Sequence, residues 1–519
     1  MSQVKSVVPF SLQPENLTSG SEYIVRRRVN DIPANESTSF GSTPSVYQTQ
    51  FNIGSSGVEY LDGMNSFIRC KLTVATGTAD VLVNTVRAFL DEGGIHSLIK
   101  TLTIQLRNGT RVEHIENYNK VYAMISNLRH NAQHIDSVEA AQSGDSMAYK
   151  PYLDPYKVHA WNANLVPDDS KNGVYRASQL IPITDNLAND LTLAEITNEF
   201  KAWAAAPNLI DPARRKMANT TQHDVTFKPM SNFLMHSKYI PLPFLQQLQI
   251  KIEWERSNIG LFLDKYTAAG AALQNTADTD TLNYTISQPV YVANLVEPSP
   301  AITSMMEKAF MSSGIQLSFL GYKTFKKIET GAAVNMEVSA NFRSARFVLA
   351  AVMEDEAFTE GNASKAYPSN STYRKSGMTD WIFKSGGMRF PENGPIDTRT
   401  IYSAETFTNA LIAVNSHGST LHDTRIRQWE WQSDYEKKYS GAAAVKTIAD
   451  STKFIIGAPL CRGDAFTGAD LTNNSLFFEA NFDNGAGANT YFANKNILSV
   501  IGYDAVLSIS RESGSIIRF

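Results

Sequence analysis

Leu248-Gln249-Ile250-Lys251-Ile252-Glu253-Trp254 alternates apolar and polar side chains without a break. A period of two places Leu248, Ile250, Ile252 and Trp254 on one face and Gln249, Lys251 and Glu253 on the other, the signature of a half-buried β-strand. Other stretches repeat it. Tyr47, Thr49, Phe51 and Ile53 oppose Gln48, Gln50 and Asn52. Ile68, Cys70, Leu72 and Val74 oppose Arg69, Lys71 and Thr73 within Ser66–Val74. Leu102, Ile104 and Leu106 lead into Asn108-Gly109, a tight-turn dipeptide. Further strands are expected at Ser237–Pro241, at Tyr284–Asn294, from Ile315 through Leu317 and Phe319, at Ala345–Met353 and at Leu476–Phe482.

Helical spacing is confined to short pieces. Ile115, Tyr118, Tyr122 and Ile125 predict a helix over Glu113–Leu128, and further helices are expected at Leu191–Ala205, Pro298–Met311 and Ser403–Val414. The order of elements then repeats. The strand at Ser66 matches that at Ser344, Asn108-Gly109 matches Asn393-Gly394, and the helix around Tyr118 matches that around Phe407. Leu248–Trp254 matches Leu476–Phe482 at a shorter offset, so the first copy carries the larger insertion, at about 129–225. Two copies of an all-β unit with a few short helices fit tandem sandwiches better than propellers or solenoids, and two eight-stranded jelly rolls are the expectation. The expected division is an extended N-terminal arm over 1–45, a first jelly roll over 46–298, a connecting helix over 299–313 and a second jelly roll over 314–519.

Composition narrows the function. A chain of 519 residues exceeds one ordinary core. With 43% apolar and 19% charged residues, 26 Phe and 21 Tyr, it is globular and sheet-prone rather than disordered. A net charge of -4 and a pI near 6.2 argue against wholesale wrapping of nucleic acid. Cys70 and Cys461 form no disulfide framework. Met1–Asn16 has no apolar leader run, so synthesis in a host cytosol without secretion is expected. The N-x-S/T sequons at Asn16, Asn35, Asn108, Asn219, Asn283, Asn362, Asn370 and Asn473 are then unused. Arg26, Arg27 and Arg28 in the arm suit a solvated run or contact with a partner, lipid or nucleic acid.

Gly94-Ile-His-Ser-Leu-Ile-Lys-Thr-Leu-Thr-Ile-Gln-Leu-Arg-Asn-Gly109 with its tyrosine-containing helix resembles the first jelly roll of virophage and polinton-like virus capsid proteins. So does Ile240-Pro-Leu-Pro-Phe-Leu-Gln-Gln-Leu-Gln-Ile-Lys-Ile-Glu-Trp254. Phe342-Arg-Ser-Ala-Arg-Phe-Val-Leu349, Met388-Arg-Phe-Pro-Glu-Asn-Gly-Pro395 and Phe454-Ile-Ile-Gly-Ala-Pro-Leu-Cys-Arg-Gly463 resemble segments of the second roll. The resemblance implies a double jelly-roll major capsid protein of the adenovirus-type lineage. Its implied partners are its own copies, as a homotrimeric pseudo-hexameric capsomer in an icosahedral shell, and penton and minor capsid proteins. The N-terminal arm is then expected to touch an internal membrane or the genome.

Catalytic constellations are incomplete. His130 and His134 have the i, i+4 spacing of a zinc helix, but Asn131 stands where the catalytic Glu is needed. Glu354-Asp355-Glu356 reads as a solvated turn against a glycosidase pair. Asp278 and Asp280 lack the spacing and glycine of a calcium loop. Arg462-Gly463-Asp464 is a turn tripeptide. Trp254, Trp381, Trp429 and Trp431 suit packing over sugar stacking. No catalytic residue, metal, cofactor or small-molecule substrate is expected. The alternative is a carbohydrate-binding or glycan-hydrolysing β-sandwich protein, which would need exposed aromatics and two facing carboxylates.

Overall fold

A computed structural model of the chain describes residues 24–35, 39–41, 48–54, 57–76, 86–130, 138, 142–143, 222–236, 239–265, 282–312, 314–339, 341–353, 357–358, 370–399, 403–414, 424–426, 431, 453–460, 468–482, 495–511 and 514–518. The alternating stretches form antiparallel strands whose apolar faces turn inward. Thr49, Phe51 and Ile53 are buried along one strand, and Leu248, Ile250, Ile252 and Trp254 along its neighbour.

In the first half, β1 (Ile24–Pro33), β11 (Leu282–Pro298), β4 (Tyr60–Thr76) and β8 (Gln222–Phe227) lie side by side in that order, with β2 (Ser39–Gly41) also on β11. A second sheet runs β3 (Gln48–Gly54), β9 (Gln247–Trp254), β6 (Ile99–Leu106) and β7 (Arg111–Ile115). A ribbon of β5 (Val86–Leu90) and β10 (Leu261–Lys265) stands apart from both. Helix α1 (Tyr118–Arg129) follows β7, and α2 (Pro300–Ser312) joins the halves.

The second half repeats the plan. One sheet runs β12 (Ile315–Glu329), β20 (Lys495–Ser510), β14 (Ala345–Met353) and β18 (Ile456–Pro459), with β21 (Gly514–Arg518) on β20. The other runs β13 (Ala333–Val338), β19 (Leu476–Phe482), β15 (Met378–Ser385) and β16 (Met388–Phe390), with β17 (Ile396–Asp397) on β15. Helix α3 (Ala404–Val414) follows β16 as α1 follows β7. Counted along the chain without the accessory strands, each half places its first, eighth, third and sixth strands in one sheet and its second, seventh, fourth and fifth in the other. That order is a jelly roll, and the chain is a double jelly roll.

Four sequence expectations are corrected. Residues 24–33 do not form an arm ahead of the first roll. They are its first strand, paired to β11 from Ile24↔Pro298 to Pro33↔Val290. Glu113 belongs to β7, and helix begins at Tyr118, after Asn117 turns the chain at φ 50°. Of the strand expected at Ser237–Pro241, the described residues 239–241 contribute one isolated bridge, Leu61↔Ile240, and no strand. Asn393-Gly394 is not the counterpart of Asn108-Gly109. The latter joins β6 to β7, and its topological equivalent is Gly386-Gly387 between β15 and β16, with Gly386 at φ 57°. Leu191–Ala205 lies outside the described residues.

Candidate functional site: the buried seam between the two rolls

The most concentrated polar chemistry among the described residues lies where the two rolls meet. Asp91 and Glu92 follow β5 and precede Gly93 and Gly94, whose φ of 95° and 59° turn the chain sharply back. Both carboxylates are thereby aimed into the second roll. Asp91 Oδ2 accepts from the backbone N–H of Asn370 at 2.8 Å, and Oδ1 from the Ser371 hydroxyl at 2.8 Å. Glu92 Oε2 accepts from Lys453 Nζ at 2.7 Å and from Asn127 Nδ2 on α1 at 3.2 Å. Lys453 Nζ also donates to the Ser371 carbonyl and lies 5.5 Å from the Tyr373 ring centre. The side chains of Lys453 and Glu92 are 3% and 5% exposed, so this ion pair is sealed from water.

The helix ends knit the seam further. The last carbonyls of a helix lack partners within it. Asn127 O, in the last turn of α1, accepts from Arg425 N at 3.0 Å and Thr424 Oγ1 at 2.8 Å. Reciprocally, Val414 O at the end of α3 accepts from Arg129 Nη2 at 2.7 Å and Nε at 3.2 Å. Each roll thus completes the other's helix. Along β12, Asn232 Nδ2 donates to Leu320 O at 2.8 Å and Thr324 Oγ1 to Glu116 O at 3.3 Å. Phe233 meets Phe319 edge-on at 5.4 Å.

Burial sets the charge states here. It pushes Asp91 up to about 6, helped by the neighbouring Glu92 charge and opposed by the Asn370 and Ser371 hydrogen bonds. Glu113, buried on β7, is raised to about 7 by desolvation despite hydrogen bonds from Ser231, Asn232 and Phe233. Lys120 on α1 is lowered to about 8 by burial, partly offset by Glu255 and Asp91. Its ammonium stands 4.8 Å from the Phe358 ring centre, with Lys326 3.6 Å from the same centre. Asp91, Glu92, Lys120 and Lys453 are buried, so their arrangement binds roll to roll rather than a substrate.

The residues singled out from sequence scatter. His130 caps the end of α1 with Nδ1 3.2 Å from Ser126 Oγ. His134, Asp278, Asp280, Glu354 to Glu356, Trp429, Cys461 and Arg462 to Asp464 lie outside the described residues. Trp254 is buried, with Nε1 2.6 Å from Thr49 Oγ1, and Trp381 is buried with Nε1 3.0 Å from Thr406 Oγ1. Trp431 packs between Phe407 and Phe454. Burial pushes the Cys70 thiol up to about 12, leaving it inert. Arg26 and Arg27 are exposed on β1, while Arg28 pairs with Glu59 at 2.7 Å. Among the described residues no three His, Cys, Asp or Glu side chains gather for a metal, and no helix is long and apolar enough to cross a membrane.

A polar groove of about 490 Å³ lies against the β3-β9-β6-β7 sheet, lined by Lys100, Arg111, His114, Glu116, Lys251 and Glu253 among others. Among the described residues no Phe, Tyr or Trp lines it. The seam residues escaped sequence reading because an acidic pair before two glycines looks like a solvated turn, and its partners lie 279 and 361 residues away.

No family model and no curated protein matches the sequence. Solved structures do resemble the fold. A chain of the Sputnik virophage structure determined by cryo-electron microscopy shares 12% identity at a TM-score of 0.55, over 96% of this chain and 89% of that one. The mavirus major capsid protein shares 9% identity at 0.47, over 95% and 90%. The Faustovirus major capsid protein shares 10% at 0.44, over 95% and 92%.

Proposed function

We propose that this chain is the major capsid protein of an icosahedral virus, with a structural and non-catalytic role. The observation that carries the reading is the seam. Two units of identical strand order are locked by a buried ion pair and reciprocal helix capping into one block, and the fold is shared with a chain of the Sputnik virophage particle. A block with two similar halves, repeated around a threefold axis, offers six similar edges and suits tiling of a near-hexagonal lattice. The working unit is then a homotrimeric, pseudo-hexameric capsomer residing in the virion. Penton and minor capsid proteins are its further partners. Assembly would draw on many modest lateral contacts, each reversible, summed over the lattice.

The carbohydrate alternative gains little support. The three described tryptophans are buried, and among the described residues the groove carrying Glu116 and Glu253 has no Phe, Tyr or Trp on which a sugar could stack. Native mass spectrometry of the purified protein tests the proposal. A species at three times the 57.3 kDa chain mass supports it. A stable monomer that binds glycans overturns it.

A further inference from the structure

Three complementary groups meet at one atom of the seam. Glu92 Oε2 accepts from Lys453 Nζ at 2.7 Å and from Asn127 Nδ2 at 3.2 Å, so an amine of the second roll and a carboxamide of the first converge on a single carboxylate oxygen. All three residues are buried, Asn127 completely. Both nitrogen-bearing side chains are also held from behind. Asn127 Nδ2 donates to Ala123 O at 2.7 Å, one turn earlier on α1, and the Asn127 backbone is fixed by Thr424 and Arg425. Lys453 is bridged in parallel to Tyr373, the next residue Phe454 donates its N–H to Tyr373 O at 3.2 Å, and Lys453 Nζ donates to Ser371 O.

A lysine amine, an asparagine carboxamide and a carboxylate shared between them are the parts needed for an amide exchange. In water the exchange does not proceed, because the amine is protonated and the amide is a poor electrophile. The sealed seam alters both conditions. Charges buried together are costly, and a proton passed from Nζ to Oε2 removes both at once. The free amine then attacks Asn127 Cγ, Glu92 gives its proton to Nδ2 and takes one from Nζ, and Nδ2 departs as ammonia. The Nζ–Cγ bond forms and the Cγ–Nδ2 bond breaks. Glu92 is left protonated, as it was at the moment of attack, and neither water nor an oxidant takes part. Fixing the reacting groups side by side supplies the proximity that free side chains lack.

We infer that Lys453 and Asn127 close an isopeptide bond across the seam, with Glu92 as the proton carrier. The newly folded chain holds the pair in its ionic form, and the bond closes afterwards, since the three groups meet only once the two rolls have docked. The reaction runs once per chain and acts on no substrate, so the structural role stands. Its product is a covalent strap from α1 of the first roll to the second roll, which persists when the noncovalent contacts of the seam are lost. The inference is independent of the capsomer reading, because all three groups belong to one chain.

The test is intact-mass spectrometry of the full-length protein, sampled over weeks of storage below its unfolding midpoint, with tryptic peptide mapping of each sample. Wild type is expected to lose one ammonia and to yield a branched peptide joining residues 121–129 to residues 447–462, uncleaved at Lys453. Protein kept in denaturant is expected to yield none, and so is Lys453→Arg, which keeps the cation without the amine. Glu92→Gln, shown to be folded by circular dichroism, is expected to form the branch more slowly by on the order of a hundredfold. A folded wild type that keeps its full mass overturns the inference. So does an ammonia loss without the branched peptide, which marks cyclisation of an asparagine on its own backbone. A branch that forms as fast in Glu92→Gln as in wild type overturns the role given to Glu92.

Discussion

Replacing Lys453 by Met removes one partner of the sealed pair with Glu92 and leaves a carboxylate stranded in the seam. Breaking a buried pair from one side costs about 3 to 5 kcal/mol. Asn127 Nδ2 still donates to Glu92 Oε2, so the lower end, about 3 kcal/mol, is expected. For a cooperative unit of about 250 residues this corresponds to a fall of about 6 °C in the unfolding midpoint. Differential scanning calorimetry at fixed protein concentration measures it. The paired variant Glu92→Met/Lys453→Met should regain most of the loss, because two apolar side chains of similar size leave no unpaired charge. Lys384→Met, which breaks an ion pair to Glu479 with side chains 37% and 35% exposed, should cost less than about 1 kcal/mol. A Lys453→Met protein that unfolds within about 1 °C of wild type would refute the view that this pair holds the rolls together.

Stability should fall as pH rises from about 4 to about 7, because folded Asp91 and Glu113 hold their protons up to about 6 and about 7 while the unfolded chain releases them near 4. Their contribution is full below the unfolded value and lost as pH climbs through the folded one. Glu113→Gln should therefore flatten the upper part of a profile of unfolding midpoint against pH. Gly63→Ala should cost several kcal/mol, on the order of 3, since a Cβ there would sit 1.8 Å from the Leu234 carbonyl oxygen and force two backbones apart. Trp381→Phe should cost about 2 kcal/mol in chemical denaturation, from lost volume and from orphaning the buried Thr406 hydroxyl.

Alternation made the core strands legible, since β3, β4, β6, β9 and β19 each bury one face and leave the other wetter. β1 left no such trace. An edge strand largely exposed on both faces has no reason to alternate, and Arg26-Arg27-Arg28-Val29 reads as a charge run. The start of α1 was blurred because Ile115 fits a strand as well as a helix. Asn393-Gly394 does mark a turn, with Gly394 at φ 111°, but a local turn signal cannot say which strands it joins. The seam was the least legible part. Asp91, Asn370, Ser371 and Lys453 come from distant segments, so the partner that makes each carboxylate structural emerges only when the chain has folded.

Cryo-electron microscopy of the purified protein at side-chain resolution tests the central claim most directly. A threefold ring of three chains and six jelly rolls is expected. A monomer or a twofold dimer would contradict it.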